Sequence, residues 1–241
     1  KLIPRVAAVQ PRSRALINIS LTLINTLILR LVFPVLAVQF AWLMQNHAVG
    51  LFHWLELPAW LEIALAFLML DAGVYWQHRL FHVFPWLWRF HRVHHCDIEL
   101  DVTTALRFHP GEAVLSMLIK LSLIAVLGAD PLAVLLFELC LNLGALFSHA
   151  NIKIHRRLEP VLRAIIVTPD MHRLHHSILA KELNRNFGFF LSVWDRLFKS
   201  YLTKSPQEIA GTRIGLNRFR ERADQQIGAL LLNPLKSELN A

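Results

Sequence analysis

Residues 59–82, AWLEIALAFLMLDAGVYWQHRLFH, combine an apolar run with two histidines four residues apart, His78 and His82. The apolar part, 59–77, carries no Lys or Arg and is long enough to cross the hydrocarbon core of a bilayer as a helix. Residues four apart lie on the same face of a helix. The stretch therefore predicts a membrane-spanning helix that presents two imidazoles side by side near its end.

The rest of the chain has the same apolar character. Three more apolar stretches, 15–44, 112–128 and 132–149, bring the predicted total to about four spans. Of 241 residues, 55% are hydrophobic and 17% charged, and the mean hydropathy is +0.43. This composition excludes a disordered chain, a coiled coil and most soluble enzymes, and two cysteines are too few for a disulfide framework. We predict an all-α, integral-membrane helical bundle with a histidine-rich helical cap on its cytoplasmic side.

We treat residues 1–241 as a single membrane domain with three parts. Residues 1–58 form an N-terminal anchor and an outer segment, 59–201 form a histidine-bearing core, and 202–241 form a cytoplasmic tail. Arg30 and Pro34 interrupt the first apolar stretch. Either one helix continues with Arg30 turned toward protein, or two short helices meet there.

Within the tail, the pattern from Ile214 to Leu232 predicts an amphipathic helix, with arginines followed by three leucines. Such a helix either covers the cap or lies on the anionic membrane face.

Positive charges predict the orientation of the spans. Residues 46–58 and the turn at 128–131 carry no Lys or Arg, whereas 79–107 and 153–163 carry four basic residues each. The positive-inside rule places both termini and both basic segments in the cytoplasm, and we expect the cell inner membrane. The formal charge of +8 favours an anionic membrane face as partner over a nucleic acid.

The abundance of histidine is the main functional signal, with 13 His against 2 Tyr. Nine histidines fall at the ends of spans or in the segments that follow, all on the predicted cytoplasmic side. These nine are the candidate metal ligands: His78 and His82; His91, His94 and His95; His149; and His172, His175 and His176.

The spacing of these histidines has a chemical reason. HxxxH places two imidazoles on one helix face, and HxxHH places its first imidazole with both of the last two. Neutral imidazole is a metal ligand near pH 7. Eight motif histidines exceed the four ligands of one tetrahedral zinc site. The pattern therefore predicts two metal ions, with His149 as a ninth ligand.

The remaining histidines are expected to have other roles. His109 either partners a metal-ligating imidazole or starts a helix ahead of Pro110, and a role as a further metal ligand stays open. His47 and His53 lie on the far side of the membrane, and His155 is not expected to bind metal.

Three polar residues near the motifs are candidates for partners of the ligands. Asp71 lies seven residues before His78, and we expect it to accept a hydrogen bond from an imidazole; a polar pair inside the bundle is the alternative. Asp170 either does the same or caps the helix that follows. Asn151 either holds a bound water or caps a helix.

Other metal chemistries fit the pattern less well. The chain has no HExxH zinc-protease motif, and the residues between the histidines are Arg, Val and Leu rather than the Glu of carboxylate-bridged di-iron bundles. A membrane metal transporter would need ionisable residues along its spans. A haem-binding electron carrier needs one axial pair on facing helices, which adjacent histidines on one helix do not provide.

The motifs HRLFH at 78–82, HRVHH at 91–95 and HRLHH at 172–176, in this order on a four-span chain, resemble those of the fatty acid hydroxylase / sterol desaturase superfamily. The resemblance covers about 61–201 and marks 59–201 as a fatty acid hydroxylase-like catalytic core. Neighbouring segments match as well: DAGVYWQHRLFH at 71–82, LWRFHRVHH at 87–95, RFHP at 107–110, SHAN at 148–151, TPDMHRLHH at 168–176, and NFG at 186–188 before WDRLF at 194–198.

This resemblance implies a non-haem di-iron oxidoreductase that uses O₂ and two electrons to hydroxylate or desaturate a lipid C–H bond. The eight motif histidines match the ligand motifs, His149 matches a further histidine, and Lys153 stands where some relatives offer another ligand. The implied cofactors are two Fe ions, which zinc can replace on overexpression.

The implied partners are a lipid substrate from the bilayer and a separate electron carrier, either a ferredoxin or a cytochrome b5-like protein with its reductase. Sterols, fatty acyl chains, ether lipids, carotenoids and hopanoids all stay open as substrates, as does hydroxylation against desaturation. Aromatic residues near the motifs either line the substrate path or form an interfacial belt: Phe81, Phe84, Trp86, Trp88, Phe90, Phe187, Phe189, Phe190 and Trp194.

Overall fold

The structure is a computed structural model that describes residues 12–236. Within this range the secondary structure is helical, with isolated β-bridges and no strand. The α-helices are α1 Arg12–Val32, α2 Ala37–Asn46, α3 Ala59–Val83, α4 Pro85–His95, α5 Pro110–Leu127, α6 Pro131–His149, α7 Glu159–Ile165, α8 Pro169–His175, α9 Ala180–Leu183, α10 Val193–Leu197, α11 Pro206–Ala210 and α12 Ile227–Leu231. Short 3₁₀ helices cover Leu51–Trp54, Thr104–Leu106 and Asn233–Leu235.

Four stretches of the described chain are long and apolar enough to cross a membrane: Ser13–Trp54, Ala59–Val83, Pro110–Leu127 and Pro131–His149. In the bundle α3 packs against α5 and α6, and α2 packs against the same two helices. Small and branched side chains such as Ala66, Val74 and Ala133 form the buried core between them. Large apolar side chains point outward, among them Leu27 and Leu143, as expected for helices that face lipid. The prediction of an all-α membrane bundle is confirmed.

The first apolar stretch contains two helices, because the α-helix stops at Val32 and resumes at Ala37. Pro34 lies in this break, and Arg30 in the last turn of α1 is exposed. Of the two alternatives for this stretch, the meeting of two helices is therefore the correct one. The physical cause is that proline cannot donate the backbone hydrogen bond that a continuous helix requires.

The N-terminal half of α1 contacts the chain segment that precedes α5, at the histidine end of the bundle. Arg14 binds Asp97 through its Nε at 2.7 Å. Thr22 donates to the Leu106 carbonyl at 2.7 Å, and Asn25 donates to the Phe108 carbonyl at 2.9 Å. All three partners precede α5 in the chain. Residues 14–25 are therefore bound to the end of the molecule that holds the histidines.

The opposite end of the bundle is closed by a contact between two glycines. Gly50 and Gly128 have φ of 111° and 65°, in the range that favours glycine. A Cβ atom on Gly50 would lie 2.1 Å from the Gly128 nitrogen, so no larger residue fits. Gln45 contacts Asp130 at the same end, at 3.4 Å. The two segments predicted to share the outer side of the membrane therefore lie together.

At the histidine end, residues 84–109 and 150–236 form a group of short helices and loops that we term the histidine cap. The predicted amphipathic helix from Ile214 to Leu232 is wrong, because only Ile227–Leu231 is α-helical within it. Arg220 donates to the carbonyls of Ile214 and Leu216, and Gln225 donates to the Cys96 carbonyl. These contacts hold the segment as bends and turns on the cap. The last residues of the predicted tail, 237–241, lie outside the described range.

Candidate metal centre

The nine candidate histidines come from four helices that converge at one end of the bundle. His78 and His82 lie in the last two turns of α3, and His149 is the last residue of α6. The α4 helix carries His91, His94 and His95, and α8 carries His172 and His175, with His176 directly after it. Pro85 and Pro169 occupy the first turns of α4 and α8, where proline starts a helix well. The helix starts thus set the registers in which the histidines face each other.

The side chains fall into two groups, in each of which the ligand atoms lie within 4.8 Å of one another. Each of the two HxxHH motifs contributes to both groups, whereas both histidines of the HxxxH motif belong to the first group. The first group is His78, His82, His91, His95 and His175, and the second is His94, His149, His172 and His176.

Hydrogen bonds fix which ring nitrogen of several histidines carries the proton. The Nδ1 atoms of His78 and His175 lie 2.7 Å from the carbonyl oxygens of Phe187 and Arg185. A carbonyl oxygen only accepts, so Nδ1 donates and Nε2 of the neutral ring is a bare lone pair. The two Nε2 atoms nevertheless lie 3.0 Å apart. Two lone pairs at this distance repel each other unless a cation lies between them.

The second group repeats this arrangement. His94 and His149 donate through Nδ1 to the carbonyls of Arg107 and Ala145, at 3.2 and 2.6 Å. Their Nε2 atoms lie 3.1 Å apart, and that of His172 lies 2.9 Å from His149. Two nitrogens bonded to one metal at about 2.1 Å and at a right angle stand about 3.0 Å apart. The observed spacing therefore fits one metal ion in each group.

A buried carboxylate supports the first group, and the sequence reasoning missed it. Glu112 Oε1 lies 2.7 Å from His91 Nδ1, and only 5% of the Glu112 surface is exposed. A carboxylate behind a ligating imidazole orients the ring and raises its basicity. The available signal was an acidic residue at the start of an apolar span, directly after the RFHP segment at 107–110.

A loop after α9 holds two of the carbonyl partners in place. The carboxylate of Asp195 accepts from the backbone amides of Phe187 and Gly188, at 2.7 and 2.9 Å. Burial raises the pKa of Asp195, while hydrogen bonds from Ser200 and these amides lower it. Asp195 of the WDRLF segment thus fixes the backbone of the NFG segment, and the Phe187 carbonyl of that segment accepts the hydrogen bond from His78.

Histidines outside the spans are held in the neutral form that binds metal. Burial lowers the pKa of His175 to about 3. Burial, followed by repulsion between neighbouring imidazoles, also lowers the pKa of His94, His95, His172 and His176 well below the usual value. Neutral rings leave their lone pairs available to a metal ion.

The structure corrects the expected role of Asp71. Its Oδ2 accepts from the Trp194 indole at 2.7 Å and from the Leu191 amide at 3.3 Å, not from an imidazole. Asp71 and His78 are seven positions apart in the helix, which places them about 10 Å apart along its axis. The pairing of Asp71 inside the bundle, the alternative interpretation, is correct.

Two of the other polar candidates, His109 and Asp170, lie at the start of a helix, and the third, Asn151, follows the end of α6. His109 is the N-cap of α5, where its Nδ1 accepts from Gly111 at 2.9 Å, so its helix-starting role is the correct alternative. The cap of α8 is Thr168, with Asp170 buried inside the first turn, so the capping alternative for Asp170 is wrong. The other alternative, that Asp170 accepts a hydrogen bond from an imidazole, stays a prediction. Asn151 is half-buried in the connection after α6, and it caps none of the described helices.

The remaining basic candidates lie outside both histidine groups. His155 and Lys153 are exposed on the connection between α6 and α7. His47 directly follows the last residue of α2, and His53 lies in the 3₁₀ helix Leu51–Trp54. Both are at the end of the bundle opposite the histidine groups.

A cavity of about 300 Å³ leads from the first histidine group into the bundle between α1, α3, α5 and α6. His78 and His91 line its inner end, and of the nine aromatic residues proposed for a substrate path, Phe81 and Phe189 line its wall. Phe84 and Trp86 are instead exposed, as the interfacial-belt interpretation predicts. The cavity gives an apolar molecule a route from the level of the spans to the histidines.

Comparison with known proteins agrees with this site. The fatty acid hydroxylase family model matches residues 63–200, and the chain belongs to that family. The match contains all nine histidines. The family is known for iron use, which fits the donor set.

Several curated proteins are similar over the same region. An alkylglycerol monooxygenase of Danio rerio is 34% identical over 70% of this chain and 37% of its own length. The ornithine lipid hydroxylase OlsE of Rhizobium tropici is 33% identical over 66% of this chain and 46% of its own length. A very-long-chain aldehyde decarbonylase of Oryza sativa subsp. indica is 25% identical over 52% of this chain and 20% of its own length. The chain thus spans less than half the length of these relatives. No solved structure matches it.

Proposed function

We propose that this chain is an O₂-dependent di-iron oxidoreductase that hydroxylates or desaturates a C–H bond of a membrane lipid. The observation that supports this most is the pair of histidine groups, the first of which reaches a cavity among the spans through His78 and His91. The similar proteins support a membrane oxidoreductase that acts on lipids.

Each histidine group would hold one iron ion. Iron supplies the redox chemistry with O₂ that oxidation of an unactivated C–H bond needs, and all-imidazole ligation suits a transition metal rather than a hard cation. The protein fixes the ligands through the carbonyls of Phe187, Arg185 and Arg107 and through Glu112. These bonds keep Nδ1 protonated, so that Nε2 faces the metal.

The cavity has two tasks in this proposal. It admits an apolar chain between α1 and α5, and its walls at Phe81, Val74 and Phe189 keep water from the reacting carbon. Electrons would come from a separate carrier, a ferredoxin or a cytochrome b5-like protein with its reductase. We place the histidine cap on the cytoplasmic side of the inner membrane, because its segments carry the basic residues.

Lipid mass spectrometry of cells with and without the protein tests this function. We expect a lipid that gains one oxygen atom, for hydroxylation, or loses two hydrogen atoms, for desaturation. Cells that make the His175→Ala variant serve as the matched control and are expected to lack the product. A lipid profile that is identical in all three cell lines would contradict the proposal.

The alternative is a membrane protein that binds or transports metal without oxygenase activity. It predicts bound metal with no lipid product and metal uptake that depends on the histidines. Metal uptake by cells with the wild-type chain and with His175→Ala, measured beside the lipid profile, separates the two functions.

A further inference from the structure

Two buried hydrogen-bond acceptors line the cavity beside the histidine groups. Asn25 and Glu112 both line it and expose only 8% and 5% of their surface. One oxygen of each, Asn25 Oδ1 and Glu112 Oε2, is buried and lacks a hydrogen-bond partner among residues 12–236. Buried acceptors of this kind are costly and rare, so each needs an explanation.

The remaining contacts of the two side chains prevent them from turning away. Asn25 Nδ2 lies 2.9 Å from the Phe108 carbonyl, which only accepts, so the amide nitrogen must face it and Oδ1 is left over. Glu112 Oε1 receives the Nδ1 hydrogen of His91 at 2.7 Å, which leaves Oε2. Both free oxygens are therefore fixed features of the cavity wall.

Position along the bundle places these acceptors at the reactive end of the cavity. Phe108 precedes α5, and Glu112 is in its first turn, next to the histidine cap. The cavity continues to Lys120, about 12 Å farther along α5.

Other polar groups of the wall have partners in the protein. Lys120 is paired with Glu138 at 2.5 Å, and Gln77 donates to Ser116 at 2.9 Å. The unsatisfied acceptors thus concentrate where His78 and His91 reach the cavity.

We propose that Asn25 and Glu112 form an acceptor subsite that receives a hydrogen-bond donor, a hydroxyl or an amine, from the lipid substrate. This inference rests on the proposed function and narrows its substrate to lipids with a donor close to the reacting carbon. The hydrocarbon tail then runs along α5 toward Met117 and Leu29. A chain without a donor leaves both acceptors unsatisfied, so the subsite selects against it.

Binding of three probes to the full chain tests the subsite without turnover. The probes are hexadecanol, hexadecylamine and hexadecyl fluoride, in which fluorine has nearly the size of a hydroxyl group and donates no hydrogen bond. The protein is loaded with zinc, which has no redox chemistry, and retention of each probe is corrected with empty micelles. We expect hexadecanol or hexadecylamine to bind about 10-fold more tightly than hexadecyl fluoride.

The two donor probes identify the group that the subsite takes. Tighter binding of the amine assigns an amine, and tighter binding of the alcohol assigns a hydroxyl. Equal affinity of wild-type protein for all three probes would overturn the inference.

The Asn25→Leu variant removes one acceptor, together with the amide that donates to Phe108, and keeps the branched side chain with the same number of heavy atoms. We expect the preference for the donor probe to become smaller, because only Glu112 Oε2 remains as acceptor, with affinity for hexadecyl fluoride unchanged within about twofold. The Asn217→Leu variant, at an exposed position of the histidine cap, is the matched control and is expected to keep the full preference. A preference that is as large in Asn25→Leu as in the wild-type protein contradicts the subsite. If Asn25→Leu binds none of the probes, Asn25→Ala supplies the same comparison with less bulk.

The inference and the proposed function fail in different ways. A lipid product together with equal probe affinities refutes the subsite and leaves the oxidoreductase. Donor preference that depends on Asn25, without any lipid product, supports a lipid-binding site and refutes the oxidoreductase.

Discussion

Single nitrogen atoms decide the chemistry of this site. The proton on Nδ1 of His94 and His149 is bound to a backbone carbonyl, so their Nε2 lone pairs face each other at 3.1 Å. A metal ion bound between them would replace this repulsion with ligation. The same logic makes each ligand hard to replace, because no other side chain in the group supplies the missing nitrogen.

We therefore expect His94→Ala to lose about one metal equivalent and all turnover. His155→Ala is the matched control, since His155 is exposed and outside both groups. Metal analysis and product formation check both variants. Full metal content and activity in His94→Ala would contradict the assignment of the second group.

Glu112 provides a finer test at the same scale. In Glu112→Gln the side chain keeps its shape and loses its charge behind His91. We expect metal affinity or activity to fall about 10- to 100-fold, measured by chelator titration and by product formation. Glu221→Gln, at an exposed acidic position, should leave both quantities unchanged. Wild-type values in Glu112→Gln would mean that the carboxylate does not act on the ligand.

The histidine motifs are predictable from sequence because their spacing is local. HxxxH and HxxHH specify which rings share a helix face, whatever the rest of the fold does. Glu112 and Asp71 show the limit. Their partners, His91 and Trp194, lie 21 and 123 residues away in the chain, and one sequence does not encode which distant residues meet.

At the scale of elements, the starts of helices set the register of the site. His109 caps α5, with Pro110 at the first helical position. We expect His109→Ala to keep both metal ions and to lose about 1 kcal/mol of stability, measured as a lower midpoint of thermal unfolding. His155→Ala again serves as the control. Loss of a metal equivalent in His109→Ala would instead identify His109 as a ligand.

Long elements were predicted from sequence and short ones were not. The apolar runs that became α3, α5 and α6 are long and uninterrupted, so hydropathy alone identifies them. The segment 214–232 was misjudged because its arginine and glutamine side chains bind backbone carbonyls of the cap. Tertiary contacts of this kind override a helical pattern.

For the whole molecule, the two ends of the bundle differ in chemistry. One end carries all nine candidate ligands, and the other carries the contact between Gly50 and Gly128. We expect a tag inserted in the 128–131 turn to react with an impermeant reagent only from outside the cell. A reporter fused after Ala241 should give a cytoplasmic signal. The reversed pattern would place the histidine cap on the wrong side for a cytoplasmic electron carrier.

The central claim is that each of the two histidine groups binds one metal ion, because the proposed oxidation beside the cavity requires both ions. Metal content and protein concentration, measured together on folded protein purified without oxygen, test it most directly. Five and four histidines in two groups predict about two metal ions per chain, with iron in the active form. A folded chain that holds one ion or fewer would contradict a dinuclear centre.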